Sequence, residues 1–271
     1  IAAKERDIAK LEADKSNRIK AFLLEMTSSP DPLKDGSEVK VIDVIQKASN
    51  KLSAELTDHP QIEAEIRTML GNTYQNLGIY DSAQSEILKA DQIIRKLYGT
   101  KSKETAISIK SLALIYHYKG DYEKAEDLYK KSLDMFNEVE KLPSFERALL
   151  IDAYGTLLAD IGNYERSEQL TEEALKIAES IKGSDDTQVA EIKNNLATSY
   201  NYLNKLDEAE KLYNESLIVF RKHFGEYHLR VSSVINNLAF IHIFREDHQK
   251  AIPLLLESLN IKLKVLGESH P

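Results

Sequence analysis

Several residue types are absent or scarce in this chain, and each shortage excludes a class of protein. The 271 residues include no cysteine, which excludes disulfides, thiolate metal sites and cysteine nucleophiles but leaves the redox compartment open. Glycine and proline number only 10 and 6, which favours long helices over a β architecture with many turns. No apolar run approaches the ~20 residues that a membrane span requires, so we predict no direct membrane insertion.

Positive charge is also in short supply. The 36 lysines and arginines are outnumbered by 44 acidic residues, which gives a net charge of -8. A nucleic-acid partner is therefore not expected, because binding to the phosphate backbone calls for a basic stripe. The sequence also lacks the motifs of zinc proteases, phosphate-binding loops and serine hydrolases. We predict a non-catalytic chain without a cofactor or a metal site.

The chain does contain an internal repeat with a period of 42 residues, which is typical of repeat proteins. Each period is predicted to form two amphipathic helices, separated by a turn that glycine permits. The expected fold is all-α, a right-handed α-solenoid of antiparallel helix hairpins, and such arrays build extended binding surfaces. The positions that recur at this step are Gly78, Gly120, Gly162, Asn204 and Glu246; Tyr80, Tyr122, Tyr164, Leu206 and His248; and Ala83, Ala125, Ser167, Ala209 and Ala251.

These residues resemble the signature of the tetratricopeptide repeat, a helix–turn–helix unit that is usually 34 residues long. The longer unit found here is similar to the 42-residue variety of kinesin light chains and many bacterial proteins. The likeness covers about residues 61–271, although no tryptophan occupies the aromatic position common in the shorter form. The residues that carry it are Leu70, Gly71, Tyr74, Gly78, Tyr80, Ala83 and Ala90, together with 194–197, 236–239 and 266–271.

The period also predicts how the chain is divided. We expect a charged N-terminal helix over 1–27 and a degenerate capping half-repeat over 28–60, because atypical terminal units cover an apolar face. The array is expected to be truncated after its last repeat. The five predicted repeats are 61–102, 103–144, 145–186, 187–228 and 229–271.

The segment that leads into the repeats carries a second resemblance. Residues 17–26, the break at 30–32 and the sequence at 58–60 resemble the junction that precedes the repeats of bacterial serine/threonine kinases. This resemblance implies that the chain is part of a larger bacterial signalling or regulatory protein whose catalytic domain lies elsewhere. The location would then be cytoplasmic, or periplasmic if a membrane helix of the kinase comes first.

In the resembled family, the first helix of each repeat lines a concave groove, so residues 42 apart become neighbouring rungs. The residue types on these rungs vary between copies while the packing positions stay fixed, as expected if a ligand constrains the first set. We predict that the groove binds a protein or peptide. Its predicted residues are Thr68, Asn72, Gln75, Asn76, Lys110, Leu114, His117, Tyr118, Asp152, Thr156, Asp160, Asn194, Thr198, Asn201, Tyr202, Asn236, Phe240 and Phe244.

The side chains of this groove suit an extended peptide. The amides of Asn194 and Asn236 can both donate to and accept from a peptide backbone, and Tyr118 and Tyr202 are typical binding hot spots. Acidic groove residues outnumber the one base, which favours a basic or neutral segment. Two alternatives remain at this point: self-association through the terminal repeat or the helix at 1–11, and a small-ligand sensor attached to a kinase.

Overall fold

The computed structural model describes residues 17, 19, 20, 41–56 and 58–267, and all its long elements are helices. The predicted helix over 1–27 and the predicted break after it lie almost entirely outside these residues. Eleven helices lie within the described ranges from residue 41 onward: α1 (Val41–Glu55), α2 (Pro60–Asn76), α3 (Tyr80–Tyr98), α4 (Lys103–Tyr118), α5 (Tyr122–Val139), α6 (Phe145–Asp160), α7 (Tyr164–Lys182), α8 (Thr187–Tyr202), α9 (Leu206–Phe224), α10 (Leu229–Phe244) and α11 (His248–Leu266).

The turn between the two helices of a repeat has the same geometry in every copy. The N–H of Gly78 donates to the carbonyl of Gln75 at 2.9 Å, and that of Ile79 donates to the carbonyl of Tyr74 at 2.8 Å. Gly78 has φ +73°, and this left-handed conformation is the one that glycine adopts without strain at a helix C-terminus. Asn204 takes the same conformation with φ 59°, as asparagine tolerates.

Small residues lie where the helices of a hairpin approach each other most closely. A Cβ added to Gly71 on α2 would come within 2.6 Å of the Ile87 side chain on α3. Ser132 and Ser216 on second helices are completely buried and donate across the hairpin, to the carbonyls of Ala106 at 2.6 Å and Ala190 at 2.8 Å. These close contacts explain why the small residues recur with the period of the repeat.

The chain forms two compact units, residues 1–135 and 136–271, and each contains an apolar core. The core of the first unit is built from α1 to α4 and includes Leu52, Ile66, Leu70, Tyr74, Ile87 and Ile115. The core of the second unit includes Ala197, Tyr213, Phe220, Val234, Ile235 and Ile261. In both units, the first helices contribute their apolar faces to the core and leave one polar stripe for the surface.

A buried ion cluster joins α1 to the hairpin of α2 and α3 in the first unit. Arg67 on α2 binds Glu63 through Nε at 2.8 Å and Glu86 through Nη1 at 2.6 Å. Ser49 and Ser53 on α1 donate to these two carboxylates, each at 2.8 Å. All the charges are paired and hydrogen-bonded, which is the condition for burying them.

Candidate binding groove

In the first unit, the predicted groove residues lie along α2 and α4 with unequal exposure. Asn72, Asn76 and Tyr118 are exposed, whereas the others on these helices are half-buried, with one exception. His117 is only 8% exposed, and its ring stacks on Tyr118 with centroids 5.8 Å apart. His117 therefore offers little surface to a ligand, and its place in the groove stays a prediction.

In the second unit, the predicted residues lie along α6, α8 and α10. Four of them are exposed: Asp160, Tyr202, Phe240 and Phe244. Those that are half-buried are Thr156, Asn194, Thr198, Asn201 and Asn236. Asp152 is 8% exposed, so it is an internal acceptor rather than a surface charge.

A ladder of side-chain amides connects successive first helices of the second unit. Asn195 on α8 donates from Nδ2 to both carboxylate oxygens of Asp152 on α6, at 3.2 and 3.1 Å. One repeat later, Asn237 on α10 donates to Oδ1 of Asn194 on α8 at 3.2 Å. The side-chain oxygen of Asn194 therefore already accepts a bond within the array. The side-chain N–H groups of Asn194 are what it can offer to a ligand. The sequence contained a signal for this ladder, the Asn-Asn pairs one period apart.

The groove threonines use their hydroxyls within their own helices. Oγ1 of Thr68, Thr156 and Thr198 donates to the carbonyl four residues earlier, at 2.8, 3.0 and 3.0 Å. This local bond is a common alternative for threonine inside a helix. The three side chains consequently offer a ligand their methyl groups more than their hydroxyl donors.

Two exposed tyrosines are held in place by stacking on the preceding repeat. Tyr202 at the end of α8 lies 4.4 Å from the ring of Tyr164, with the ring planes 8° apart. Tyr118 at the end of α4 lies parallel to Tyr80 at 6.1 Å. Tyr118 and Tyr202 remain 54% and 57% exposed, so each presents one flat face to solvent. Because stacking restricts these rings before any ligand arrives, less side-chain entropy is lost on binding.

Fewer carboxylates of the groove are available to a ligand than the sequence suggests. Glu191 on α8 lies 3.3 Å from Nε of Arg230 on α10. Burial raises the pKa of Glu191, while Arg230 and His228 act in the opposite direction. Asp152 is already bound by Asn195. The expectation of a basic ligand therefore rests on fewer acids than the sequence count implied.

The described residues contain neither a metal site nor a membrane-spanning helix. In that part of the chain, no three histidine, aspartate or glutamate side chains are placed to hold a metal ion. None of the helices described there combines the length and the apolar composition of a transmembrane segment.

Comparison with known proteins places the fold. A model described as tetratricopeptide repeat matches residues 63–138, 146–222 and 188–264. No curated protein matches the sequence. BtubC (BKLC) from P. vanneervenii is similar in structure, with a TM-score of 0.68, 21% identity and coverage of 85% of this chain and 92% of that one.

Two further solved structures are similar at low sequence identity. A putative kinesin light chain of Podosopora anserina with nearly identical TPR-like repeats has a TM-score of 0.58 and 19% identity, over 76% of this chain and 97% of that one. A Rap protein complexed with Competence and Sporulation Factor has a TM-score of 0.66 and 14% identity, over 90% of this chain and 62% of that one. At these identities the likeness shows the fold alone, and it confirms the predicted all-α solenoid of helix hairpins.

Proposed function

Since the chain belongs to the tetratricopeptide repeat family, we propose that the exposed stripe of α8 and α10 binds an extended peptide segment of a partner protein. Repeats of this family are generally protein–protein interaction modules and not catalysts. The observation that carries the proposal is Tyr202, whose ring is stacked and yet exposed at the end of α8, the helix that also carries Asn194. A flat aromatic face and amide donors on one helix suit the recognition of an extended peptide.

Two of the similar structures are complexes with another molecule, which supports the proposal of a binding role. The Rap protein is complexed with Competence and Sporulation Factor, and a second neighbour is the APC/C hetero-tetramer Cut9-Hcn1, with a TM-score of 0.62 and 19% identity. The wider proposal, that the groove serves as the scaffold or sensor of a larger bacterial signalling protein, rests on the sequence resemblance at 17–60 alone.

The exposed apolar side chains of α10 refine the expected ligand. Phe240 and Phe244 are 43% and 59% exposed, and Phe244 occupies the repeat position of Tyr202. Because Asp152 and Glu191 are engaged within the array, apolar contacts have more weight than charge. We propose a neutral or basic segment with a bulky apolar residue seated against Phe244.

The test uses peptides selected from a random display library against the chain. The double variant N194A/Y202A should keep its helical circular dichroism and raise the Kd of the selected peptides about ten-fold or more, as expected for hot-spot residues. The matched control is N214A/Y227A, because Asn214 on α9 and Tyr227 are exposed and lie outside the groove. Equal affinity for both double variants, or a library without binders, would contradict the proposal.

A further inference from the structure

A cavity opens at the turn between α2 and α3 in the first unit. Its volume is about 520 Å³, and it is lined by residues 78–81 of the turn together with Tyr118 and Lys119 at the end of α4. The rings of Tyr80 and Tyr118, which both line the cavity, are parallel to within 5°. The stripe of α8 and α10 lies in the other unit, so this cavity is a separate feature of the fold.

The equivalent pair of tyrosines in the second unit is closed. Tyr164 and Tyr202 lie two periods after Tyr80 and Tyr118, and their ring centroids are 4.4 Å apart. The centroids of the first pair are 6.1 Å apart. Two parallel rings overlap less at the larger distance, so the first pair leaves more of its aromatic faces available to a ligand.

The cavity is also lined by one carboxylate and one ammonium group, and the carboxylate is the more accessible of the two. Nζ of Lys119 donates to Asp81 at 2.7 Å and to Gln84 at 3.0 Å. The side chain of Asp81 is 92% exposed, whereas that of Lys119 is 30% exposed. Asp81 can therefore turn to a ligand while Gln84 keeps its bond with Lys119. Asp81 lies in the first turn of α3, where an acid offsets the positive end of the helix.

These groups suit a planar cation. The faces of tyrosine rings are electron-rich and attract cations, and a carboxylate binds a guanidinium group through two parallel hydrogen bonds. A guanidinium group is flat, weakly hydrated and able to stack on aromatic rings, whereas the ammonium group of lysine is compact and strongly hydrated. A guanidinium group can thus lie against a tyrosine ring and bind Asp81 at the same time.

We propose that this cavity binds an arginine side chain of a partner protein, which stacks on Tyr80 and Tyr118 and binds the carboxylate of Asp81. Tyr80 packs against the apolar core of the first unit, and Tyr118 contacts the ring of His117. Because these contacts restrict both rings in advance, less side-chain entropy is lost on binding. The net charge of -8 attracts a basic segment to the chain.

The first test is an NMR titration of the 271-residue chain with N-acetyl-arginine methylamide and the corresponding lysine and glutamate derivatives. The arginine derivative should shift the signals of Gly78, Tyr118 and Lys119 saturably at millimolar concentrations, and the other two should bind more weakly. Equal or tighter binding of the lysine or glutamate derivative, or no saturable shift at these residues, would overturn the proposal. So would free arginine that binds about ten-fold tighter than its blocked derivative, because the site would then take the free amino acid.

The second test changes the charges that line the cavity. D81N should raise the Kd of the arginine derivative about three-fold, as expected for loss of an exposed ion pair. The matched control is E165Q, since Glu165 occupies the same repeat position beside the closed pair of tyrosines. K119M should lower the Kd, because Asp81 loses a competing cation. An unchanged Kd in D81N, or a raised Kd in K119M, would contradict the role of the carboxylate.

The third test separates the ring of Tyr118 from its hydroxyl. Y118A should raise the Kd of the arginine derivative about two- to five-fold, whereas Y118F should bind like the parent chain, because the aromatic face is retained. Equally weak binding by both variants would contradict stacking. N194A/Y202A should bind the arginine derivative like the parent chain, so this proposal and that of peptide binding by α8 and α10 can fail separately.

Discussion

Two buried cations occupy the same position of the repeat, one in each unit. Arg67 on α2 and Lys193 on α8 are three periods of 42 residues apart, and they are 3% and 5% exposed. The other three copies have isoleucine there, at 109, 151 and 235. An apolar position of the repeat has thus become charged twice, in different surroundings.

The partners of the two cations differ in their access to water. The side chains of Glu63 and Glu86, which bind Arg67, are 11% and 4% exposed. Those of Glu179 and Glu215, which bind Lys193 at 2.9 and 2.7 Å, are 38% and 37% exposed. Removing the first cation leaves two carboxylates buried, whereas removing the second leaves carboxylates that can turn to solvent. The comparison teaches that the location of the partner acids decides what a buried cation contributes.

The largest loss of stability is expected from breaking the buried ion cluster of Arg67. R67M should lower the free energy of unfolding by about 3–5 kcal/mol, because an uncompensated buried charge remains after loss of one partner. Urea denaturation followed by circular dichroism measures this change. The control is K89M, since Lys89 binds the same Glu86 from the surface at 2.7 Å and such pairs contribute about 1 kcal/mol or less. Equal losses of unfolding free energy in R67M and K89M would show that burial of the pair does not determine its contribution to stability.

Replacing the whole cluster should undo most of that loss. The fifth repeat has Val231, Ile235 and Leu254 where the first has Glu63, Arg67 and Glu86. The triple variant E63V/R67I/E86L should unfold within about 2 kcal/mol of the parent chain, because apolar residues often replace buried ion pairs at little cost. The hydroxyls of Ser49 and Ser53 lose their carboxylate acceptors, which accounts for a residual penalty. A triple variant as unstable as R67M would contradict this explanation.

The sequence predicted the helices well because their signals are local and repeated. The left-handed turn at Gly78 requires a residue that tolerates positive φ, and this requirement recurs in each copy. Asn204 and Glu246 show the strength of the register, since they adopt φ 59° and 58° without being glycine. The helices that follow the turns accordingly begin at Tyr80, Tyr122, Tyr164, Leu206 and His248.

The candidate site was less predictable because it depends on contacts between repeats. A column of residues indicates which side of a helix they occupy, but not whether a neighbour covers them, as Asp152 and His117 show. The ion cluster had a visible signal in Arg67, a charged residue in a column of isoleucines. Its acids come from two other columns, so only the packed hairpin shows that they meet.

A smaller loss of stability is expected when Lys193 is replaced, because its partner acids are partly exposed. K193I installs the isoleucine of the other copies and should change the free energy of unfolding by about 1 kcal/mol or less, because Glu179 and Glu215 regain water. The same denaturation measurement gives the result, and R67M is the comparison. A loss as large as that of R67M would mean that the exposure of the acids has no influence.

The smallest expected effect is the pH dependence of the stability that Lys193 contributes. Burial alone would lower the pKa of Lys193, but the hydrogen bonds from Lys193 to Glu215 and Glu179 outweigh burial and raise the pKa. The folded chain therefore holds this proton more tightly than the unfolded chain, in which lysine titrates near pH ~10.4. Its contribution to stability is complete below that value and is lost as the pH rises through the raised pKa of the folded state. We expect the difference in unfolding free energy between the parent chain and K193I to be constant from neutral pH to pH ~9 and to shift in favour of K193I at more alkaline pH. A difference that stayed constant above the lysine pKa would show that the ammonium charge of Lys193 is not what binds Glu179 and Glu215.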